Sequence, residues 1–464
     1  MTRVQTDICV IGGGSGGLSV AAGAVQMGAR VVLIEGHKMG GDCLNYGCVP
    51  SKALLAQAKK VHARGNEPTP EDFKTAIAHV KATIATIEPH DSVERFEGLG
   101  VQVIPGFARF ISPSEVEVAG QTITARRFVI ATGSRALVPP VPGLVDVPYM
   151  TNETLFDQTE RPGHLLIIGA GPIGLEMAQA HRRLGSRVTV IEGAKALGRE
   201  DPEAADVVLD ALRREGVEII EEAHVERVGG RPGALEVQVK GGTIFTGTHL
   251  LVAVGRVPNL DKLDLAEARV KFDRSGIKVD AGLRSTNRRV YAIGDVAGQG
   301  QFTHLAGYHA GVVIRSILFG LPAKARHDHI PHVTYCDPEL AHIGLSEGEA
   351  RKKYGAGVSV HRIGYDQIDR AQADGRTAGF LKLVAARGRP VGVTVVGTQA
   401  GEIIAPYALA MANNLKLSAI AGTVLPYPTL AEIGKRAAGA YFSPRLFDNM
   451  NVKRVVRLVQ RWLP

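Results

Sequence analysis

Residues 8–17 read Ile8-Cys9-Val10-Ile11-Gly12-Gly13-Gly14-Ser15-Gly16-Gly17, an apolar segment that runs directly into a cluster of glycines. A helix-like run follows, then a second apolar segment, Arg30-Val31-Val32-Leu33-Ile34, and then Glu35. Glycines in this pattern permit a tight turn and bring a pyrophosphate close to a helix N-terminus, while an acid after the second strand accepts hydrogen bonds from ribose hydroxyls. Strand, glycines, helix and acid together predict a dinucleotide-binding Rossmann unit.

The same pattern occurs a second time. Leu165-Leu166-Ile167-Ile168 precedes Gly169-Ala170-Gly171-Pro172-Ile173-Gly174, and a second apolar segment ends at Glu192. The chain is therefore expected to bind two nucleotides. An acid at Glu192 would repel a 2′-phosphate and favours NADH, whereas a site for NADPH usually has an arginine nearby. Lys195 and Arg199 follow soon after, so NADPH stays an alternative.

Two cysteines, Cys43 and Cys48, lie in the segment 40–52 just after the first unit. A five-residue step along a regular helix rises about 7.5 Å, beyond the roughly 7 Å between Cα atoms that a disulfide tolerates. A bonded pair therefore needs an irregular backbone, which Gly47 makes plausible. Pro50 suits the first turn of a following helix, whose positive end would favour a thiolate at Cys48. The pair predicts redox chemistry, with two buried structural cysteines as the alternative; Cys9 and Cys336 are assigned a structural role.

The composition indicates a multi-domain globular protein. With 464 residues, 45% of them hydrophobic and 22% charged, the chain can bury an ample core. No secretory signal or membrane-spanning run is recognisable, and the first strand begins within a few residues of the N-terminus, which predicts a cytoplasmic protein. The net charge of +8 is not concentrated in a basic tract with aromatic residues, so no nucleic-acid partner is expected.

Three further motifs complete a family pattern. Ala131-Thr132-Gly133, Val254-Gly255-Arg256-Val257-Pro258-Asn259 and Tyr291-Ala292-Ile293-Gly294-Asp295 follow the expected order along the chain. With the two glycine loops and the cysteine pair, the chain resembles the pyridine nucleotide-disulfide oxidoreductases, the family of glutathione reductase, dihydrolipoyl dehydrogenase and mercuric reductase. The resemblance implies an α/β fold with two Rossmann-like domains, for FAD and NAD, and a C-terminal α+β dimerisation domain. The implied domains are FAD-binding at 1–148, NAD(P)-binding at 149–271, a second FAD-binding part at 272–334, and dimerisation at 335–464.

The resemblance also implies roles for particular residues. A hydride would pass from the nicotinamide to FAD, and two electrons would pass on to a Cys43–Cys48 disulfide and then to an acceptor. Cys48 would contact the flavin as a charge-transfer thiolate, while Cys43 would exchange with the substrate. Lys52 and Glu176 match an ion pair beside the flavin; an exposed lysine and an ordinary helix glutamate are the alternative.

Cofactor contacts are implied in the same way. His304 falls where flavin-contacting residues lie in the family, and a packed interior histidine is an equally weighted interpretation. We propose no metal site, since the histidines lack ligand spacing. The residues expected to contact FAD are Gly12, Gly14, Ser15, Gly17, Glu35, Gly41, Lys52, Ala131, Thr132, Gly133, Gly294, Asp295 and His304. Those expected to contact NAD are Gly169, Gly171, Gly174, Glu192, Gly255 and Arg256.

One segment departs from the disulfide-reducing members. They carry His-Pro-Thr-x-x-Glu near the C-terminus, where the histidine of one subunit serves the active site of its dimer partner and the glutamate orients it. Here the segment reads Tyr427-Pro428-Thr429-Leu430-Ala431-Glu432. Tyrosine has a reference pKa of about 10 against about 6.5 for histidine, so Tyr427 would be a poor proton shuttle at neutral pH. A packed interface aromatic is the alternative for Tyr427.

The sequence therefore leaves two functional classes for this chain, which differ in the molecule that accepts the electrons. Tyrosine at this place also occurs in mercuric reductases and soluble transhydrogenases. Mercuric reductases carry a vicinal C-terminal cysteine pair, but no cysteine follows Cys336, and the stretch 20–23 lacks the arginine that grips glutathione. We expect a disulfide oxidoreductase whose acceptor is a small-molecule or protein thiol/disulfide or a soft metal. The alternative is a diaphorase, a transhydrogenase or a membrane-associated electron-transfer flavoprotein in which the cysteines do not exchange with substrate.

The C-terminal tail, residues 451–464, predicts a basic amphipathic helix. Apolar residues recur at helical spacing and four cations occupy the rest: Val452, Val455, Val456, Val459 and Trp462 against Lys453, Arg454, Arg457 and Arg461. Such a helix can lie on an anionic membrane or dock on a partner. Packing on its own domain or on the dimer mate is the commoner arrangement.

Overall fold

The structure is a computed structural model that describes residues 2–463. The described chain divides into two compact units, residues 2–194 with 216–327 and residues 195–215 with 328–463. Within residues 2–463, every helix is too short or too polar to span a bilayer.

The helices alternate with strands through most of the chain. They are α1 (Ser15–Gln26), α2 (Gly41–Asn45), α3 (Cys48–Ala63), α4 (Pro70–Ile87), α5 (Val93–Gly98), α6 (Pro172–Arg183), α7 (Pro202–Arg214), α8 (Thr303–Phe319), α9 (Glu347–Tyr354), α10 (Asp369–Ala373), α11 (Ala400–Ile403), α12 (Ala405–Ala412), α13 (Leu417–Ala421), α14 (Glu432–Phe447) and α15 (Met450–Trp462).

The strands fall into parallel and antiparallel groups. They are β1 (Thr2–Ile11), β2 (Val31–Glu35), β3 (Gln102–Pro105), β4 (Arg109–Ser112), β5 (Glu115–Val118), β6 (Gln121–Ile130), β7 (Ser134–Ala136), β8 (His164–Ile168), β9 (Arg187–Ile191), β10 (Glu218–Ile220), β11 (Val225–Arg231), β12 (Ala234–Val239), β13 (Ile244–Gly247), β14 (His249–Val252), β15 (Arg256–Pro258), β16 (Phe272–Asp273), β17 (Gly276–Ile277), β18 (Val290–Ala292), β19 (His332–Thr334), β20 (Glu339–Gly344), β21 (Val358–Gly364), β22 (Phe380–Ala386) and β23 (Arg389–Gly397).

The larger unit contains two sheets with parallel strands, which correspond to the two predicted Rossmann units; in the first sheet β5 and β4 are added antiparallel at one edge. The first has the order β3-β2-β1-β6-β5-β4, with β18 also paired to β6, and the second has the order β10-β9-β8-β14. Ile11 pairs with Ile34 and Ile130 in the first sheet, so the carboxyl ends of three parallel strands meet at one edge. Ile168 pairs with Ile191 and Val252 in the second. Both sheets are therefore open α/β sheets whose carboxyl edges carry the glycine loops, as ligand sites of this architecture require.

Three helices follow the cysteines. α3 and α4 are separated by residues 64–69, and Thr69 caps α4 by accepting a hydrogen bond from the Asp72 N–H. The short α5 follows them. Gly-Asn-Glu-Pro at 65–68 breaks the chain because glycine and proline both disfavour helix continuation.

The smaller unit is built on an antiparallel sheet of order β19-β20-β23-β22-β21. Its core includes Leu381, Leu383, Val393 and Tyr407, all fully buried. Residues 195–215 also pack within this unit, where Lys382 on β22 forms ion pairs with Asp201 (2.8 Å) and Glu203 (3.0 Å) at the start of α7. The α/β fold class with an α+β C-terminal part is confirmed; the domain boundaries stay predictions.

Candidate functional site

The two glycine loops have nearly the same geometry. Gly12 and Gly169 have φ values of 112° and 107°, in the region that favours glycine. A Cβ at Gly17 would lie 1.8 Å from the Gly12 carbonyl oxygen, and one at Gly174 would lie 2.0 Å from the Gly169 oxygen. Helices α1 and α6 can therefore approach their strands closely only with glycine at these places. Neither helix has an acid in its first turn, so the positive end of each helix is available to an anion.

Glu35 and Glu192, the acids at the ends of the two motifs, stabilise the glycine loops by accepting backbone hydrogen bonds. One carboxylate oxygen of Glu35 accepts a hydrogen bond from the Gly13 N–H and the other from the His37 N–H. Glu192 accepts in the same way from Ala170 (2.8 Å) and Ala194 (2.9 Å). Sequence reasoning assigned the two acids to ribose recognition alone. Each oxygen retains a further lone pair, so the acids can fix the loops and still accept from a ribose hydroxyl.

The cysteine pair lies at a break between two helices. Cys43 is in α2, and Cys48 is the first residue of α3. The intervening Gly47 leaves the helical region with φ −123° and ψ −106°, and a Cβ there would lie 2.9 Å from an Asp42 carboxylate oxygen. The break therefore supplies the irregular backbone that the spacing of the cysteines required. Both cysteines are free thiols here, Cys43 half-buried and Cys48 exposed.

Cys48 is the thiolate of the pair. A hydrogen bond from the Cys43 thiol, a hydrogen bond from the Thr303 hydroxyl and the positive charge of Lys52 lower the pKa of Cys48 to about 6, against opposition from desolvation and the Asp42 carboxylate. The pKa of Cys43 is raised because its thiol donates to Cys48 and is desolvated. The Thr303 Oγ1 lies 3.3 Å from the Cys48 Sγ. A pKa near 6 makes Cys48 mostly ionised at neutral pH.

Two helix N-termini meet at this sulfur. Cys48 begins α3, and Thr303, which contacts it, begins α8. Neither helix has an acidic residue in its first turn. Each helix start adds a positive field that stabilises a thiolate. The predicted position of Cys48 at a helix N-terminus is present, and the contribution of α8 is an addition that sequence reasoning missed.

Lys52 and Glu176 form the ion pair that the resemblance implies. The Lys52 Nζ lies 2.9 Å from a Glu176 carboxylate oxygen, with the Glu176 side chain 5% exposed and the Lys52 side chain 36% exposed. The pair joins α3, which carries Cys48, to α6, which follows the second glycine loop. It therefore fixes a cation one helical turn from the thiolate.

Arg256 links the cysteine loop to Asp295. Its guanidinium donates to the Ser134 hydroxyl (2.8 Å) and carbonyl (2.7 Å), and it also pairs with Asp42 (3.0 Å). The Ser134 hydroxyl in turn donates to the Asp295 carboxylate. Burial raises the pKa of Asp295, and this hydrogen bond opposes the shift. Sequence reasoning grouped Arg256 with the second nucleotide, whereas these contacts place it beside the residue that precedes Cys43.

The Thr132–Gly133 turn is joined to Asn259 by reciprocal hydrogen bonds. The Thr132 hydroxyl donates to the Asn259 carbonyl (2.8 Å), the Asn259 amide donates to the Thr132 carbonyl (2.9 Å), and the Asn259 N–H donates to the Gly133 carbonyl (3.0 Å). Strand β7 pairs with β15 beside this contact. The motif 131–133 and the motif 254–259 are thus one structural unit, which explains why they occur together.

Tyr427 and Glu432 lie in the smaller unit. The Tyr427 hydroxyl donates to the Asp369 carboxylate (2.8 Å), and this hydrogen bond together with the negative charge of Asp369 raises the pKa of Tyr427. Tyr427 is 69% exposed, so within its own subunit it is not a packed aromatic residue. The Glu432 Oε2 is buried and has no hydrogen-bond partner within residues 2–463. The Tyr427 hydroxyl is thus held by Asp369, a residue outside the sequence motif 427–432.

The sequence patterns of two family domains match the chain. "Pyridine nucleotide-disulphide oxidoreductase" matches residues 6–310, and the dimerisation domain of the same family matches residues 330–438. The chain belongs to this family. It is an FAD-dependent disulfide oxidoreductase, and the dimerisation domain makes it a homodimer.

Relatives of this pyridine nucleotide-disulphide oxidoreductase span nearly the whole chain. Mercuric reductase of Bacillus cereus is 34% identical over 92% of this chain and 70% of its own length. Dihydrolipoyl dehydrogenase of Thermus scotoductus is 36% identical over 94% of this chain and 97% of its own. Among solved structures, the HOCl-induced flavoprotein disulfide reductase RclA from Escherichia coli superposes with a TM-score of 0.85 at 29% identity, over 93% of this chain and 99% of that one. A Cu(II) complex of RclA gives 0.86 at 28% identity, over 94% and 99%.

The first glycine loop of this oxidoreductase fits the pyrophosphate of FAD. Gly14 and Gly41 approach so closely that a Cβ at Gly41 would lie 2.7 Å from the Gly14 Cα. The backbone of these two glycines therefore lies at the N-terminus of α1, with no side chain in the way of a pyrophosphate. Ser15 begins that helix. The individual contacts assigned to FAD and NAD stay predictions. His304 lies in the first turn of α8 and is exposed, with its ring stacked on Phe302 at 5.4 Å between centroids, so the interior alternative is wrong.

Proposed function

We propose that this enzyme oxidises NADH and delivers two electrons to a soft metal ion bound by Cys43 and Cys48. The single observation that carries the proposal is the position of Cys48 at the start of α3, with the Thr303 hydroxyl 3.3 Å from its sulfur and Lys52 one helical turn away, which favours a thiolate at Cys48 beside a protonated Cys43. The flavin, when bound, supplies two-electron transfer from the nicotinamide towards the sulfur pair. With Hg(II) the balance is NADH plus Hg(II) giving NAD⁺, one proton and Hg(0).

The proton on Cys43 favours a metal acceptor over a disulfide. Disulfide exchange needs Cys43 as a thiolate before it attacks, and the bond to Cys48 keeps its proton in place. Tyr427 is a poor base for that proton because its pKa is raised beside Asp369, so its hydroxyl stays protonated at neutral pH and cannot accept a proton. A soft metal ion, in contrast, displaces the proton as it binds the sulfurs and needs no protein base. The mercuric reductase relatives and the Cu(II) complex of RclA support this acceptor class.

Small disulfides are the second candidate class, supported by the dihydrolipoyl dehydrogenase relative. We further propose that Tyr427 of one subunit serves the cysteine pair of its dimer mate. We also propose the FAD and NAD contacts and the domain boundaries given above, together with a cytoplasmic location.

Preference for NADH is proposed from Glu192. Its carboxylate is held at the second glycine loop by the Ala170 and Ala194 N–H groups, so its charge cannot move away from a 2′-phosphate. We expect kcat/KM to be higher with NADH than with NADPH, and Glu192→Gln to reduce the ratio. A ratio that is unchanged in this variant contradicts the assignment.

The test of the acceptor is the anaerobic oxidation of NADH with Hg(II), Cu(II), lipoamide or oxidised glutathione. We expect turnover with a soft metal, at least 10-fold faster than with either disulfide, and loss of that turnover in Cys43→Ser and Cys48→Ser. Cys9→Ala, which removes a thiol from the core of β1, is the matched control. Faster turnover with a disulfide refutes the metal proposal, and metal turnover that survives both cysteine variants removes the pair from the electron route.

A further inference from the structure

The last helix of the chain, α15, exposes an apolar face. Its apolar residues recur at helical spacing, and no other part of the chain between residues 2 and 463 buries any of them. The exposed side chains include Val455 (58%), Val456 (51%), Val459 (41%) and Trp462 (74%). Of the two commoner arrangements, packing of this face on its own domain is wrong, and packing on the dimer mate stays an alternative. An exposed apolar face of this kind marks a site of interaction with a protein or a membrane.

The opposite face of α15 carries only positive charge. Lys453, Arg454, Arg457 and Arg461 occupy it, and α15 has no acidic residue. None of the four forms an ion pair with any residue between 2 and 463. Lys453 and Arg457, and Arg457 and Arg461, are four residues apart, a spacing at which like charges oppose helix formation in water. An anionic surface relieves this repulsion.

The helix is a separate element with its own cap. The Asn449 side-chain oxygen accepts hydrogen bonds from the Asn451 N–H (2.9 Å) and the Val452 N–H (3.4 Å), which starts α15 after α14 ends at Phe447. The dimerisation domain of the family matches only as far as residue 438. The basic amphipathic helix therefore lies beyond the residues that the dimerisation domain of the family matches.

We propose that α15 docks the enzyme on the surface of an anionic lipid bilayer. Thirteen residues give a helix of about 20 Å, shorter than the roughly 30 Å hydrocarbon core, so α15 lies in the plane of the interface rather than across it. The valines and Trp462 enter the boundary between headgroups and acyl chains, where tryptophan is favoured. The four cations face the lipid phosphates. The enzyme is then held at a membrane surface.

The charge pattern selects a membrane over a second copy of the chain. A dimer contact through the apolar face would bury valines and Trp462 and leave the cations in water, unrelieved. A bilayer with anionic lipids engages both faces at once, because the headgroup plane lies where the apolar and polar faces of the helix meet.

The experiment uses the full-length holoenzyme and sedimentation with vesicles of phosphatidylcholine, with and without phosphatidylglycerol. We expect binding only with phosphatidylglycerol and weakening at high salt. Each cation near the surface contributes about fivefold in affinity, so Arg454→Gln with Arg457→Gln should weaken binding about 25-fold. Val455→Glu with Val459→Glu should abolish it. Gln460→Ser, on the polar face, is the matched control and should bind as wild type.

Two further measurements keep the outcomes distinct. NADH-dependent turnover in solution should be the same in all these variants, since α15 is not part of the proposed redox site. The mass of the protein in solution should stay that of a dimer in the Val455→Glu/Val459→Glu variant. Dissociation of the dimer in that variant assigns the face to a second copy and overturns the proposal. Equal binding to neutral vesicles, or no binding to anionic ones, also overturns it.

Discussion

Thr303→Val should raise the pKa of Cys48. The substitution keeps the shape of the side chain and removes the hydroxyl that lies 3.3 Å from the Cys48 Sγ. A hydrogen bond to a charged acceptor contributes about 1.5–3 kcal/mol, and 1.36 kcal/mol corresponds to one pKa unit, so full loss would give about one to two units. Because Cys48 is exposed to water and the Cys43 thiol still donates to it, we expect about half a unit to one unit.

The effect is measurable as a loss of thiolate at neutral pH. With a pKa of about 6, Cys48 is about nine-tenths ionised at pH 7. A rise of half a unit to one unit leaves roughly three-quarters to one-half ionised. The assay is the pH dependence of iodoacetamide alkylation of Cys48 in the fully reduced protein, followed by peptide mass spectrometry.

Thr303→Ser is the control, because it retains a hydroxyl at the same place and should keep the wild-type pKa. An unchanged pKa in Thr303→Val, with α8 still folded by circular dichroism, would refute the reasoning. It would mean that the Cys43 thiol, Lys52 and the helix termini hold the thiolate without help from the hydroxyl.

Other residues of the larger unit and Tyr427 give further tests. Lys52→Met should raise the pKa of Cys48 because the lysine cation lowers it, and Glu176→Gln, which leaves that cation in place, should have a smaller effect in the same alkylation assay. Buried His181 has its pKa lowered to about 4 by desolvation, so the unfolded state binds a proton that the folded state cannot. The free energy of unfolding should therefore fall by about 3 kcal/mol as pH drops from about 6.5 to about 4, and His181→Gln should flatten this dependence in urea titrations. Tyr427→His should speed lipoamide reduction by supplying a base with a pKa nearer neutrality, and no gain would exclude the tyrosine as the limiting residue.

The glycine loops and the thiolate were predictable because their causes are local in sequence. Gly12 and Gly17 serve a turn and a helix contact only a few residues away, and Cys48 begins the helix that carries Pro50. Such short-range constraints on the backbone restrict which residue types can occur at these positions, so they can be recognised in the sequence. The family resemblance then supplied the Lys52–Glu176 pair, whose members are 124 residues apart.

Long-range contacts without a motif were not predictable. Thr303 lies 255 residues from Cys48, and a threonine at the start of a helix has many ordinary roles. Asp42 next to Cys43 was visible in the sequence, but its pairing with Arg256 depends on the approach of α2 to β15, which are more than 200 residues apart in the chain. Asp369 holds Tyr427 through a contact across 58 residues. The apolar face of α15 was predicted, whereas its exposure depends on what the rest of the chain leaves uncovered.

The most direct test of the account is anaerobic reduction of the holoenzyme by NADH, followed by the visible spectrum of the flavin. We predict a long-wavelength charge-transfer band at two electrons per flavin, given by the Cys48 thiolate. The band should be present in Cys43→Ser without reduction and absent from Cys48→Ser. Direct bleaching of the flavin without this band in the wild-type protein would contradict the claim that Cys43 and Cys48 carry the electrons.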